Sequence, residues 1–296
     1  MALQLPPRFD ARIARNEPLA EHTSWRVGGP ADIFFKPESA DDLAGFLRML
    51  DAQTNVYFIG LGSNLLVRDG GVRGAVIATH GAFGEIKQLA PTEVWLSSGV
   101  ACAKVAKQCI KWGLGPAEFF AGIPGTVGGA LAMNAGAFGG ETWPHVVEVE
   151  TINRAGEIRR RPASDYQVSY RHVVGPRNEW FLGAHFHFEL RPGVSHDDVR
   201  VLLARRKESQ PIGELSCGSV FTNPPGDHAA RLIEASGLKS YRIGGARVSE
   251  KHANFIINDG TASAADIERL IEFVRDTVQA EQGVSLNTEV RMIGVT

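Results

Sequence analysis

Apolar and polar positions along this chain repeat with two different periods, and the switches between them mark its elements. Leu43, Phe46, Leu47 and Leu50 recur at helical spacing behind Ser39 and Asp42, a capping-box pattern, and predict a helix from about residue 40. Val56-Tyr57-Phe58-Ile59 is a short apolar run stopped by Gly60 and predicts a buried strand; residues 76–78 and 94–96 predict two more. Cys102, Val105, Ala106, Cys109 and Ile110 trace one helix face that ends at Gly113 and Gly115. Period two takes over at Val147, Val149 and Thr151, and again at Ala184, Phe186, Phe188 and Leu190, predicting half-buried strands with these residues inward. Ser195 and Asp198 form a second capping box ahead of Val199, Leu202 and Leu203. Helices are then predicted over 227–236, stopped by Gly237, and over 263–281, where Ile267, Leu270, Ile271, Val274 and Val278 form an apolar stripe. Strands are predicted at 254–257 and 289–293.

Strands alternating with capped helices give an α/β (α+β) class. The composition changes at Arg191-Pro192-Gly193, and three units are expected: residues 1–80, 81–192 and 193–296. With 296 residues, 44% hydrophobic and 22% charged, the chain has the make-up of a soluble globular protein large enough for several domains. A formal net charge of -2 provides no long-range pull toward nucleic acid or an anionic membrane, so neither is expected as a partner. Residues 1–15 show no leader pattern, and no later stretch reaches the ~20 apolar residues of a membrane span. A cytoplasmic location is therefore expected.

Three cysteines without CxxC spacing point to neither disulfides nor zinc, and Cys102 and Cys109 are expected as core residues. His185 and His187 share one strand face but lack a third ligand at metal spacing. They are read as solvated strand histidines, and no metal is expected.

The candidate chemistry lies in two glycine-rich segments. One runs from Gly122-Ile123-Pro124-Gly125-Thr126-Val127-Gly128-Gly129 to Asn134-Ala135-Gly136-Ala137; the other is Gly60-Leu61-Gly62-Ser63-Asn64-Leu65. Glycine lets backbone N–H groups approach a ligand closely, and a pyrophosphate is a ligand that rewards this. The 60–65 turn follows a strand, but it lacks the third glycine of a Rossmann fingerprint and opens extended chain rather than a helix. No GxxxxGK[ST] phosphate loop is present either. From these residues alone, two turns closing on one pyrophosphate and simple structural punctuation both stand.

A wider set of motifs narrows the choice. His22-Thr23-Ser24-Trp25-Arg26-Val27-Gly28-Gly29, the 60–67 turn, residues 123–129, Ser169-Tyr170-Arg171, Cys217-Gly218-Ser219-Val220-Phe221 with Asn223-Pro224, and Glu289-Val290-Arg291 occur in that order. Together, over roughly residues 20–294, they resemble the UDP-N-acetylenolpyruvoylglucosamine reductase family. The short 172–180 connection is similar to the branch of the family without a tyrosine-bearing insertion.

The resemblance implies an FAD-binding unit of the vanillyl-alcohol-oxidase type in two subdomains, followed by an α/β substrate domain. It also implies non-covalent FAD, NADPH as hydride donor and a UDP-sugar substrate in peptidoglycan precursor synthesis. Gly60, Leu61, Gly62, Ser63, Asn64 and Leu65, with Gly122, Ile123, Pro124, Gly125, Thr126, Gly128, Gly129, Asn134, Gly136 and Ala137, are the implied cofactor-binding residues. Main-chain donors would hold the pyrophosphate, with side-chain contacts from Ser63, Asn64 and Asn134. By the same resemblance Arg171, Ser219 and Glu289 are catalytic, and Tyr170, Lys207 and Asn223 contact substrate.

The chemistry agrees with those residue types. Hydride addition to an enolpyruvyl ether sends charge into its carboxylate, which calls for a cation and a hydrogen-bond donor. The planar fork of Arg171 suits that group. An ionised Glu289 about 4 Å from it would be opposed by ~4 kcal/mol at an effective dielectric of about 20, so Glu289 is expected to be protonated. Ser219 is the expected proton donor to C2, and Cys217, two residues away on an extended segment, is expected to pack. A flavin oxidase of the same fold, or a non-catalytic nucleotide-binding protein, are the competing readings.

Overall fold

The computed structural model describes residues 7–296, with backbone only at residues 7, 8 and 10. The reading of residues 1–15 as lacking a leader therefore falls partly, at residues 1–6, outside the described residues. The described residues divide into two compact units: one holds 7–15, 33–61 and 74–204, the other 16–32, 62–73 and 205–296.

The first unit contains two apolar cores. One gathers Phe9, Ile33 and Phe35 against helix α1 (Ala40–Met49) and Ile77, with Phe35 stacked on Phe46 at 4.1 Å. α1 begins where the sequence places it, because the Ser39 side chain accepts the Asp42 amide at 3.1 Å. Strand Val56–Ile59 runs parallel to residues 75–78, but at the edge of its sheet; only Ile59 is buried, so the run expected to be buried is half-buried over Val56, Tyr57 and Phe58.

The other core lies under a five-stranded antiparallel sheet, ordered Ile158–Pro162, Val146–Asn153, Glu179–His187, Glu93–Ser97, Ile86–Ala90. Helix α2 (Cys102–Lys111) and helix α3 (Val127–Met133) pack on this core through Cys102, Val105, Cys109, Val127 and Leu131. α2 has no side-chain cap; its first amide, at Cys102, donates to the Gly125 carbonyl at 2.9 Å.

Two inward assignments differ from the period-two reading. Val147 is 44% exposed, because a register shift between Val146 and Glu148 inserts a bulge and turns it outward. Leu190 is 61% exposed: the sheet strand ends at His187, and Glu189–Leu190 pairs instead with Leu114–Gly115. His185 faces Glu93, with Nε2 and Oε2 3.0 Å apart.

Helix α4 (His196–Ser209) carries the predicted reciprocal Ser195–Asp198 box but buries no side chain, so Leu202 and Leu203 face no core. In the second unit, helix α5 (Ala229–Ala235) and helix α6 (Ala264–Gln282) enclose a core with Trp25, Val27, Leu66, Val220 and Phe221. The Trp25 indole donates to the Ile256 carbonyl at 2.7 Å, and Asn258 Nδ2 donates to the Trp25 carbonyl at 2.7 Å. The His22–Gly29 motif thus works as a buried staple. The strand expected at 254–257 is Ile256–Asn258, and that expected at 289–293 is Arg291–Ile293, parallel to Leu65–Val67.

α6 is capped twice. Ser263 and Asp266 form a reciprocal box, and the Asp69 carboxylate accepts the amides of Ala264 and Ala265, each at 2.9 Å. Asp69→Ala and Ser263→Ala are each expected to cost about 1 kcal/mol, read as a lowered denaturation midpoint with unchanged slope. Burial pushes the Cys109 and Cys217 thiols up to about 12 and raises Cys102 as well. Folded protein at about pH 8 should therefore resist thiol alkylation, and all three thiols should react once it is denatured.

Candidate functional site

The predicted site residues fall into two sets, one in each unit. In the first unit, the chain at residues 98–102 lies antiparallel to 125–128: Val127 N–H donates to Val100 O at 2.9 Å and Gly128 N–H to Ser98 O at 2.8 Å. A Cβ on Gly128 would lie 3.0 Å from Ser98 Cβ, and one on Gly60 only 2.3 Å from Thr126 Oγ1. Glycine at 60 and 128 thus permits close approach of chain to chain. The amides of Ile123 and Gly128 are engaged internally, Ile123 donating to Phe120 O.

Two hydroxyls stand out in this segment. Thr126 Oγ1 and Ser98 Oγ are buried and have no hydrogen-bond partner among the described residues. An unsatisfied buried hydroxyl is costly, and two of them beside one glycine-rich strand-to-helix turn fit a bound polar group such as a phosphate. Ser98 carries no signal in the sequence; only the antiparallel pairing brings it here.

Farther along, Asn134 closes α3 in the left-handed region (φ 46°, ψ 53°). Its side chain is engaged within the protein: Nδ2 donates to Glu141 Oε2 at 2.9 Å and to Ser169 O at 3.3 Å, while Oδ1 accepts the Trp143 amide at 3.1 Å. Gly136 and Ala137 pair with Gly140–Glu141.

Tyr170 and Arg171 form the tip of the hairpin that joins Gln167–Ser169 to His172–Val174. Arg171 sits at φ 55°, a left-handed conformation that costs a non-glycine residue roughly 1–3 kcal/mol and tends to mark functional positions. Its guanidinium donates to two main-chain carbonyls, Asn134 O at 3.2 Å and Gly136 O at 2.9 Å, and lies 5.0 Å from the centre of the Tyr170 ring. Both of these bonds are made to neutral main-chain carbonyls. Tyr170 is exposed.

The second unit brings together Gly62–Leu65, Ser219 and Glu289. Gly62 is left-handed (φ 61°), and a Cβ there would meet the His22 carbonyl at 2.0 Å, so only glycine fits. Asn64 Nδ2 donates to Glu289 O at 3.0 Å, and the Arg291 amide donates to Asn64 O at 3.1 Å. The Glu289 amide donates to Val220 O at 2.8 Å. Glu289 lies just before the strand rather than inside it, and both it and Ser219 are half-buried.

Asn254, buried and unnoticed in the sequence, holds the Ser219 segment from behind. Its backbone oxygen accepts the Val220 amide, its Oδ1 accepts the Phe221 amide, and its Nδ2 donates to Phe221 O, all at 2.8–2.9 Å. The Cys217 thiol contacts the carbonyl oxygens of Leu65 (3.5 Å) and Gly62 (3.8 Å). Buried and with a raised pKa, Cys217 is a packing group and a poor acid beside Ser219.

The two substrate-contact candidates farther on are exposed. Asn223 Oδ1 accepts the Ala229 amide at 3.1 Å and so caps α5, while the Lys207 carbonyl receives Lys251 Nζ.

Residues 210–293 match the family model for the C-terminal domain of UDP-N-acetylenolpyruvoylglucosamine reductase, and residues 31–161 match the model for an FAD binding domain. The chain is 56% identical over 281 residues to the UDP-N-acetylenolpyruvoylglucosamine reductase of Alkalilimnicola ehrlichii, covering 94% of this chain and 93% of that one. To the same-named protein of Methylococcus capsulatus it is 55% identical over 282 residues, covering 94% and 92%. The crystal structure of the Thermus caldophilus reductase superposes with a TM-score of 0.79 at 30% identity, over 95% of this chain and 97% of that one. On sequence and on fold, the chain belongs to the UDP-N-acetylenolpyruvoylglucosamine reductase family.

Proposed function

We propose that this chain reduces UDP-N-acetylenolpyruvoylglucosamine to UDP-N-acetylmuramate, using FAD and NADPH, in cytoplasmic synthesis of peptidoglycan precursors. The observation that carries the reading is the tie between Asn64, the Ser219-Val220 segment and Glu289, made by the Asn64 side-chain amide and the main-chain bond from Glu289 to Val220, in a chain of this family. Under this reading residues 1–80 and 81–192 serve FAD and residues 193–296 serve the substrate.

Non-covalent FAD, once bound, supplies the hydride that NADPH delivers. The residues that would hold it are those of the 60–65 turn and of 122–137, apart from the internally engaged Asn134 side chain, joined by the hydroxyls of Ser98 and Thr126, which have no partner among the described residues. Where the amides of Ile123 and Gly128 are engaged internally, close backbone packing is their contribution.

Arg171 presents its cationic fork to the substrate carboxylate, lowering the cost of the charge that develops as the double bond accepts hydride. Glu289 acts as an un-ionised acid, donating a hydrogen bond to the enolate oxygen. Ser219 delivers the proton to C2 from its half-buried position. Tyr170, Lys207 and Asn223 contact the UDP-sugar, with the Asn223 amide nitrogen available on the side away from its capping oxygen.

Stopped-flow recording of the flavin spectrum tests the whole reading: NADPH should bleach the protein, and enolpyruvyl substrate should restore its colour. Ser219→Ala should still bleach with NADPH but recover its colour ~10²–10⁴-fold more slowly. Equal slowing of both phases would reject Ser219 as the acid. In the substrate complex, the Glu289 carboxyl should show a protonated infrared band at neutral pH that vanishes in Glu289→Gln. An ionised band there would remove it as a donor.

A further inference from the structure

We propose that Asn134 is a positioning residue for Arg171, setting both the turn that carries the arginine and the plane of its guanidinium. The inference rests on the reading of Arg171 as the partner of the substrate carboxylate. It starts from the number of bonds that pass through one residue. The Asn134 side chain donates to Ser169 O, at the last strand position before the Tyr170-Arg171 tip, while its own main-chain carbonyl accepts Arg171 Nη1. The base of the hairpin and the far end of the arginine are therefore held from the same place.

Residue chemistry at 134 is narrowly defined. Two acceptors, Glu141 Oε2 and Ser169 O, face one side of the carboxamide, and a donor, the Trp143 amide, faces the other. Only a group with an N–H pair and a carbonyl satisfies all three, and this pattern also fixes which way the amide points. The residue must further accept left-handed backbone, which asparagine does more readily than most. Arg171 is left-handed too, and such conformations persist where the surroundings over-determine them. Asn134 supplies that over-determination, with Glu141 orienting it in turn. Asn134 is 2% exposed and its carboxamide is engaged with these partners, so its effect is carried through Arg171.

Asn134→Asp tests this with little change in size or backbone preference. It removes both donors and sets a carboxylate against Glu141. Colour recovery with substrate is expected to slow about 10²-fold more than bleaching by NADPH, mostly in kcat. Amide hydrogen exchange over residues 167–174 should rise while that of α2 holds. Adding Glu141→Gln returns a donor to the pair and removes the repulsion, so the double variant should regain much of the loss. Asn134→Gly, which keeps the left-handed backbone and adds no charge, should show the same bias and the same faster exchange.

Loss of bound flavin with unchanged exchange at 167–174 would overturn the proposal and make Asn134 a cofactor ligand. Equal slowing of both phases without rescue would also overturn it, in favour of general structural support. Arg171→Lys, measured alongside, separates the two levels. If it leaves colour recovery intact, the catalytic reading of Arg171 fails, while exchange at 167–174 still decides whether Asn134 sets the hairpin.

Discussion

Main-chain carbonyls hold the Arg171 guanidinium and the backbone at Glu289, and the surrounding segments are placed so as to aim those carbonyls. Those of Asn134 and Gly136 take the Arg171 guanidinium, and that of Val220 takes the Glu289 amide. A carbonyl carries no net charge. It can therefore fix the position of a cation without itself cancelling the field around it. Backbone acceptors also move only when whole segments move, so the geometry they impose is stiffer than that of a long side chain.

The glycines serve this scheme less by offering amides than by letting segments approach. Gly60 against Thr126 and Gly62 against His22 O leave no room for a methyl group without a shift, and Gly128 against Ser98 leaves only a tight fit. Bringing backbone this close leaves two hydroxyls, Ser98 and Thr126, buried without partners among the described residues. That arrangement is costly in isolation and sensible beside a ligand rich in oxygen.

Much of the fold was legible because its signals are local. Ser39, Ser195 and Ser263 announce helix starts through bonds made within one turn, and the α6 stripe needs only its own spacing. Val147 and Leu190 were misplaced because a bulge and a change of pairing partner are decided by other strands. At the site, residue types and motif order pointed to Arg171, Ser219 and Glu289, but their supports did not show. Ser98 and Asn254 sit in unremarkable sequence and acquire their roles through contacts with residues some 30 positions away. The bonds of the Asn134 carboxamide to Glu141, Ser169 and Trp143 were equally invisible, since nothing in the sequence marks those partners.

The Trp25 staple has a consequence for how the chain is made. Its indole waits for a carbonyl 231 residues later, and Leu66 joins the same core from another early stretch. At a ribosomal pace of about 5–20 residues per second, the second unit's early segments stay without their partners for on the order of 10–50 s. The first unit draws its last segment from residues 74–204 and can close while synthesis continues. Translation order therefore makes the second unit the late folder, with an apolar tryptophan in need of shelter until the C-terminal third emerges.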